Sequence, residues 1–312
     1  MADKMATREA YGKTLVELGA QYPELVVLDA DLSGSTKTGE FKKVYPERFF
    51  NFGIAEQNMY GAAAGLALSG KTVCASTFAM FAAGRAFEII RNSIGYTHAN
   101  VKVCATHAGI TVGEDGASHQ TFEDLALMRT IPGMTVVNPS DGASARELLK
   151  QVIAMKGPAY VRLGRAAVPF FYDEESASKI VLGKGNTLRE GKDVTIIATG
   201  IMVSEAMTAA EELALEGIDA RVIDMHTIKP IDEEIIIKAA KETGRIVTAE
   251  EHSVIGGLGS AVAETVALSA PCRMYMVGQK DTFGESGKPE ELKAKYGMTA
   301  SDIYKGVHVL MK

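Results

Sequence analysis

Val101-Lys102-Val103-Cys104-Ala105-Thr106 runs straight into His107-Ala108-Gly109-Ile110-Thr111-Val112-Gly113-Glu114-Asp115-Gly116-Ala117-Ser118-His119-Gln120. The first of these segments has the β-branched, apolar character of a buried strand. The second holds two histidines, two acids and three glycines. Open α/β sheets bind ligands where a strand exits into such a loop. Glycines let backbone approach a ligand closely, and imidazoles exchange protons near neutral pH. The same composition also suits an ordinary surface loop, and the flanking sequence has to decide between the two.

Outward from this stretch, strands alternate with helices. Residues 25–28, 71–76, 134–137 and 159–163 read as short apolar strands. A helix is expected over 7–21, with Thr7 as its cap and Glu9 in its first turn. Glu56 precedes a helix of small residues at about 57–68, and Phe78, Phe81 and Phe87 fall in a helical pattern reaching about Tyr96. Ser140 or Asp141 caps a further helix to about Met155. Regularity fades over 166–191 and then returns. Strands are expected at 194–199, 220–225, 245–250 and 272–277, with helices at 203–216, 232–242 and 258–269. The fold class is therefore α/β: two three-layer domains with mostly parallel sheets, over 1–170 and 191–312, joined by a linker at 171–190.

Composition narrows the function. Of the 312 residues, 46% are hydrophobic and 23% charged, which is ample material for two cores. A net charge of -6 without a basic block argues against nucleic-acid binding. Cys74, Cys104 and Cys272 lie too far apart for a disulfide framework or a metal-ligand pattern, so reduced thiols are expected. There is no apolar signal core after Met1 and no membrane-length apolar run, so a cytoplasmic protein with no membrane partner is expected.

Several motifs fail on inspection. Gly257-Leu258-Gly259-Ser260-Ala261-Val262 has Val where a dinucleotide fingerprint needs a third small residue, and reads better as a glycine-rich helix start at a domain interface. No nucleophile elbow surrounds Ser35 or Ser260. His107 and His119 have no third His or Cys nearby, so no metal is expected to be held by this chain alone. Glu56 suits a solvated acid in a first helical turn as well as a buried functional one. Phe78 and Phe81 suit a core as well as a cofactor wall.

Taken together, five stretches resemble the second half of a transketolase. They are Asp31-Leu32-Ser33-Gly34-Ser35, Asn51-Phe52-Gly53-Ile54-Ala55-Glu56-Gln57, Ser76-Thr77-Phe78-Ala79-Met80-Phe81, the loop 107–120, and Arg162-Leu163-Gly164-Arg165. The resemblance covers about 5–170, the pyrimidine-binding domain, and continues less specifically through a C-terminal domain. The run Gly113-Glu114-Asp115-Gly116 with Asn138 downstream departs from the family's diphosphate-and-magnesium motif, and no other segment supplies that motif. The chain thus looks like the C-terminal subunit of a split transketolase. The β subunits of 2-oxo acid dehydrogenases are similar in size but lack the loop at 113–120. The 1-deoxyxylulose-5-phosphate synthases share its Ser/Thr-His-Gln but are single chains. A non-catalytic scaffold of this fold is the remaining alternative.

The resemblance implies a thiamine diphosphate enzyme that transfers a two-carbon ketol unit from a ketose phosphate to an aldose phosphate. Glu56 falls where the family's Glu meets the aminopyrimidine ring, Phe78 and Phe81 where its aromatic wall stands, and Asp31 at an acid near the cofactor. Asp115 and His119 match contacts to substrate hydroxyls, with His119 able to move protons beside the reacting carbon. His107, Ser35 and Arg165 match the terminal-phosphate site, where a guanidinium binds in bidentate fashion. Arg162 is carried over as an assistant there. Glu56 and His119 are the implied catalytic pair. The implied partner is an N-terminal subunit of roughly 250–300 residues. It would bring Mg²⁺ (or Ca²⁺) and the diphosphate site and complete an α2β2 heterotetramer, active only when assembled. The small-residue face at Gly61 to Gly65 is a candidate contact for that assembly.

Overall fold

Residues 4–312 are described by the structure, a computed structural model. In chain order its strands are β1 Lys4–Ala6, β2 Leu25–Asp29, β3 Phe49–Asn51, β4 Thr72–Phe78, β5 Val101–Thr106, β6 Thr135–Val137, β7 Ala159–Arg162, β8 Ala167–Pro169, β9 Asn186–Arg189, β10 Val194–Ala198, β11 Ala220–Asp224, β12 Thr227–Lys229, β13 Arg245–Ser253 and β14 Arg273–Gln279. One sheet has the order β12-β6-β7-β5-β4-β2-β3 and the other β14-β13-β10-β11-β9, while β1 and β8 form a separate ribbon. Both sheets are parallel except at one edge, where β12 runs antiparallel to β6 and β9 antiparallel to β11. Every residue of β2, β4, β5 and β10 is buried, as parallel strands covered on both faces must be. The α/β reading with two mostly parallel sheets holds.

Lys102 is the one charged residue in β5. Its ammonium donates to the carbonyls of Met155 at 3.0 Å and Gly157 at 2.7 Å, and burial lowers its pKa to about 8.

Local details differ from expectation in three places, and the choice between Ser140 and Asp141 as a cap is resolved. Thr7 does not cap the helix Thr7–Gln21, because β1 runs directly into it and leaves Ala6 at the cap position. The Thr7 hydroxyl instead accepts from the Gly164 amide at 2.8 Å. Asp141, not Ser140, caps Gly142–Ala154, its carboxylate accepting from Ser144 N at 2.7 Å. The helix expected to Tyr96 is broken into π-helical turns, Phe81–Arg85 and Ile90–Gly95, around a short α segment. Between the two regular regions, a turn Glu174–Ala177 and then β9 continue the structure, and β9 joins the second sheet.

The second region also returns a strand to the first sheet. β12 pairs with β6, so the two sheets are tied by a shared segment as well as by packing. Among the described residues no helix is long and apolar enough to cross a membrane.

Candidate active site

The C-terminal ends of the neighbouring parallel strands β2, β4 and β5 bring the candidate residues to one end of the first sheet. At the end of β2 the buried carboxylate of Asp29 organises the following turn. It accepts from Leu32 N at 2.6 Å, Thr36 Oγ1 at 2.7 Å and Thr38 Oγ1 at 2.8 Å. Burial raises its pKa, against those donors. Asp31, the acid singled out by sequence, is exposed, with φ +64°, and accepts from Asn51 Nδ2 at 3.2 Å. This bond fastens the Asp31–Ser35 stretch to the Asn51–Gln57 stretch.

Glu56 opens the helix Glu56–Leu68 and is only 2% exposed. Arg85 Nη1 lies 3.4 Å from its Oε2, and among the described residues its Oε1 takes part in no hydrogen bond. The Arg85 guanidinium also lies 5.5 Å from the centroid of the Phe81 ring. Phe78, the last residue of β4, and Phe81, the first of the π-helical turn, present nearly parallel rings, 5.9 Å apart with 13° between planes. The widened turn lets a strand-end residue and a helical residue align their faces. His119 stands edge-on to both, 6.3 Å from Phe78 and 5.3 Å from Phe81.

His107 follows β5 with φ +56° and is 3% exposed. Its ring stacks on Phe78 at 4.0 Å. Arg8 Nη1 lies 3.4 Å from His107 Nε2, and Thr106 Oγ1 lies 2.9 Å from Nδ1. A guanidinium can only donate, so Nε2 is the acceptor and Nδ1 carries the proton, donated to Thr106. Burial, then the charges of Arg8, Arg165, His119 and Lys37, lowers the pKa of His107 to about 3, so the ring is neutral at physiological pH.

Arg8 also donates to the Ser35 carbonyl at 2.8 Å. It therefore bridges Ser35 and His107, two residues matched to the phosphate site. Sequence reading missed it, because one Arg in an amphipathic helix carries no local signal. Arg165 donates to the Val112 carbonyl and lies 3.4 Å from Glu114 and 4.0 Å from Asp115.

Two sequence expectations are corrected. Arg162 cannot assist with phosphate. It is buried, donating from Nε to Asp124 at 2.7 Å and from Nη2 to the Glu251 carbonyl at 2.8 Å. Burial would raise the Asp124 carboxyl, but Arg162 holds it below its ordinary range. The loop glycines, expected to let backbone approach a ligand, are instead approached by the second region. A Cβ on Gly109 would stand 2.2 Å from the Glu251 carboxyl carbon, one on Gly113 3.2 Å from Pro289, and one on Gly116 2.4 Å from Ser286 Oγ. These glycines seat the loop on the second region, leaving Asp115 exposed and His119 half-buried beside Phe78 and Phe81.

The glycine-rich helix start at Gly257 does lie at the interface. The Glu250 carboxylate accepts from Leu258 N at 2.6 Å and Gly259 N at 2.8 Å, so the protein's own acid fills that helix end. Arg129 from the first region donates to the Gly256 carbonyl at 2.6 Å. Gly61 and Gly65 have open space beyond their Cα atoms.

Residues 3–170 match the pyrimidine-binding domain of transketolase and residues 183–303 the transketolase C-terminal domain. The chain is 53% identical over 306 residues to the putative transketolase C-terminal section of Methanocaldococcus jannaschii, covering 98% of this chain and 96% of that one. It is 44% identical over 301 residues to a 6-deoxy-6-sulfo-D-fructose transketolase subunit of a Clostridium species, covering 96% and 93%. A solved structure described as a split gene transketolase, inactive beta4 tetramer, superposes with a TM-score of 0.92 at 56% identity, covering 98% of each chain. The chain therefore belongs to the transketolase family and carries its pyrimidine-binding and C-terminal domains, the C-terminal section of a split, two-chain transketolase.

Proposed function

We propose that this subunit supplies the aminopyrimidine pocket and the sugar channel of an enzyme that moves a two-carbon ketol unit from a ketose phosphate to an aldose phosphate. The observation that carries the reading is buried Glu56, linked through Arg85 to the ring of Phe81, which lies nearly parallel to that of Phe78. That set fits a flat, polar heteroaromatic, which needs apolar walls and one buried acid partner. When bound, thiamine diphosphate supplies the carbon that carries the transferred unit.

The chain's own residues divide the remaining work. Glu56 holds a proton-sharing contact to the ring nitrogen, and Phe78 and Phe81 supply the apolar wall beside the ring. His119, edge-on to both rings, handles protons at the substrate's reacting end. Asp115 accepts from a substrate hydroxyl and so selects its configuration. Arg165, Arg8, Ser35 and neutral His107 bind the terminal anion, with His107 held as a fixed tautomer by Thr106. Asp31, through Asn51, braces the turn beside the cofactor.

We assign the diphosphate and its Mg²⁺ (or Ca²⁺) to the N-terminal subunit. The loop acids Glu114 and Asp115 lie against Arg165, a poor arrangement for ligating a cation. We divide the chain at 1–170, 171–190 and 191–312, and infer an α2β2 assembly that is active only when both chains are present. The related split gene transketolase described as an inactive beta4 tetramer supports that dependence. Mixing purified chain with its N-terminal partner, thiamine diphosphate and Mg²⁺ should produce ketose-to-aldose transfer that neither chain gives alone. Transfer by this chain alone would refute the split-site reading.

A further inference from the structure

We infer that Glu251, on the second domain, fixes the conformation of the loop that bears Asp115 and His119, and so acts as a positioning residue for them. The inference rests on the substrate role proposed above for that loop. β13 carries Glu251 to the domain junction, where its side chain is 3% exposed. Glu251 Oε1 accepts from the backbone amide of Thr111 at 2.7 Å, at the start of the turn Ile110–Asp115. Gly109, with φ +80°, makes this approach possible, since any Cβ there would collide with the carboxylate.

On its other side Glu251 is held by the first domain. Arg162 Nη2 donates to its carbonyl at 2.8 Å, and Arg162 Nη1 lies 4.0 Å from its Oε2. Arg162 is itself fixed by Asp124 at 2.7 Å. A line of partners, Asp124 to Arg162 to Glu251 to Thr111, thus crosses the junction and ends inside the loop. The far end of the loop has its own anchor, since Gln120 Nε2 donates to the Glu285 carbonyl at 2.9 Å. Asp115 and His119 lie between these two fixed points, on backbone pinned at both ends by the second domain. Groups that meet reacting atoms need such support, because a displacement of about 1 Å costs roughly 10²-fold in rate.

Two substitutions separate reach from charge. Glu251→Asp keeps the charge beside Arg162 but is one methylene too short for Thr111 N. Glu251→Gln keeps an acceptor in place and loses the charge. The readouts are kcat and KM of the reconstituted two-chain enzyme, its thiamine diphosphate affinity, and hydrogen exchange of the Thr111 amide in the folded chain. Glu251→Asp should lower kcat about 10²-fold and speed Thr111 exchange, with cofactor affinity unchanged, whereas Glu251→Gln should stay near wild type in all three. The inference is overturned if Glu251→Gln is the more impaired variant, if Glu251→Asp keeps wild-type rate and protection, or if cofactor affinity falls in step with kcat. His119→Ala, measured alongside, keeps the two readings distinguishable. Full activity in that variant would remove the proposed role of the loop, while Thr111 exchange would still report whether Glu251 holds it.

Discussion

The imidazole of His107 lies on the ring of Phe78, with centroids 4.0 Å apart and 25° between planes. The same ring is close to Arg8 and is held neutral, with its pKa lowered to about 3 by burial and by neighbouring cations. An unfolded histidine titrates near 6.5, so between these values the unfolded chain binds a proton that the native site refuses. His107 therefore removes stability as pH falls through that window, by about 1.4 kcal/mol per pH unit. His226 and His252, lowered to about 4 by burial, act in the same sense. Asp224 and Glu250, raised to about 7 by burial, act oppositely, because the native state then holds the extra proton. His107→Gln should make the slope of stability against pH between 6 and 4 shallower by about one proton. Urea midpoints at several pH values check this, and identical slopes for variant and wild type would contradict it.

Arg8 bridges the Ser35 carbonyl and His107, and Arg165 stands on the neighbouring loop exit. Replacing either with Ala should raise KM for phosphorylated sugars about 10- to 100-fold, the worth of a charge-assisted bond. An uncharged ketose should be converted as before. Equal losses on charged and uncharged substrates would remove both residues from the anion site.

Arg162 should behave differently from Arg165. Arg162→Met leaves the fully buried carboxylate of Asp124 without its cation, and stability should fall by about 3–5 kcal/mol. KM for the phosphorylated substrate should hold in whatever fraction remains folded. A large KM effect without loss of stability would restore Arg162 to phosphate binding.

Gly109→Ala would place a methyl 2.2 Å from the Glu251 carboxyl carbon on a backbone at φ +80°. The expected cost is about 2–3 kcal/mol, seen as a lower unfolding midpoint. Gly65→Ala, where open space surrounds the Cα, should instead be neutral or slightly stabilising in the chain by itself.

Much of the architecture was legible because parallel strands covered on both faces are continuous apolar runs, as at β2 and β10. The position of Glu56 at a helix start followed from the same patterns, whereas Phe78, expected in the helical run after a strand ending at 76, is the last residue of β4. What could not be read depends on contacts between distant parts of the chain. Arg8 meets His107 across 99 positions, and Glu251 meets Thr111 across 140. β12 is a three-residue strand beside a proline, and its pairing with β6 leaves no periodic trace. The π-helical turns at Phe81–Arg85 and Ile90–Gly95 keep a helical apolar pattern while changing where the side chains face. The loop glycines suggested a close approach correctly, but composition could not say that the approaching group is the second domain.

The most direct test is Glu56→Gln in the reconstituted two-chain enzyme. Gln preserves volume and the contact to Arg85 but cannot share a proton with a ring nitrogen as a carboxylate can. The expected result is transfer slowed by about 10²- to 10⁴-fold, with unchanged assembly and an unchanged unfolding midpoint. Wild-type turnover from Glu56→Gln in a confirmed complex would contradict the reading of Glu56 and the Phe78–Phe81 wall as the aminopyrimidine site.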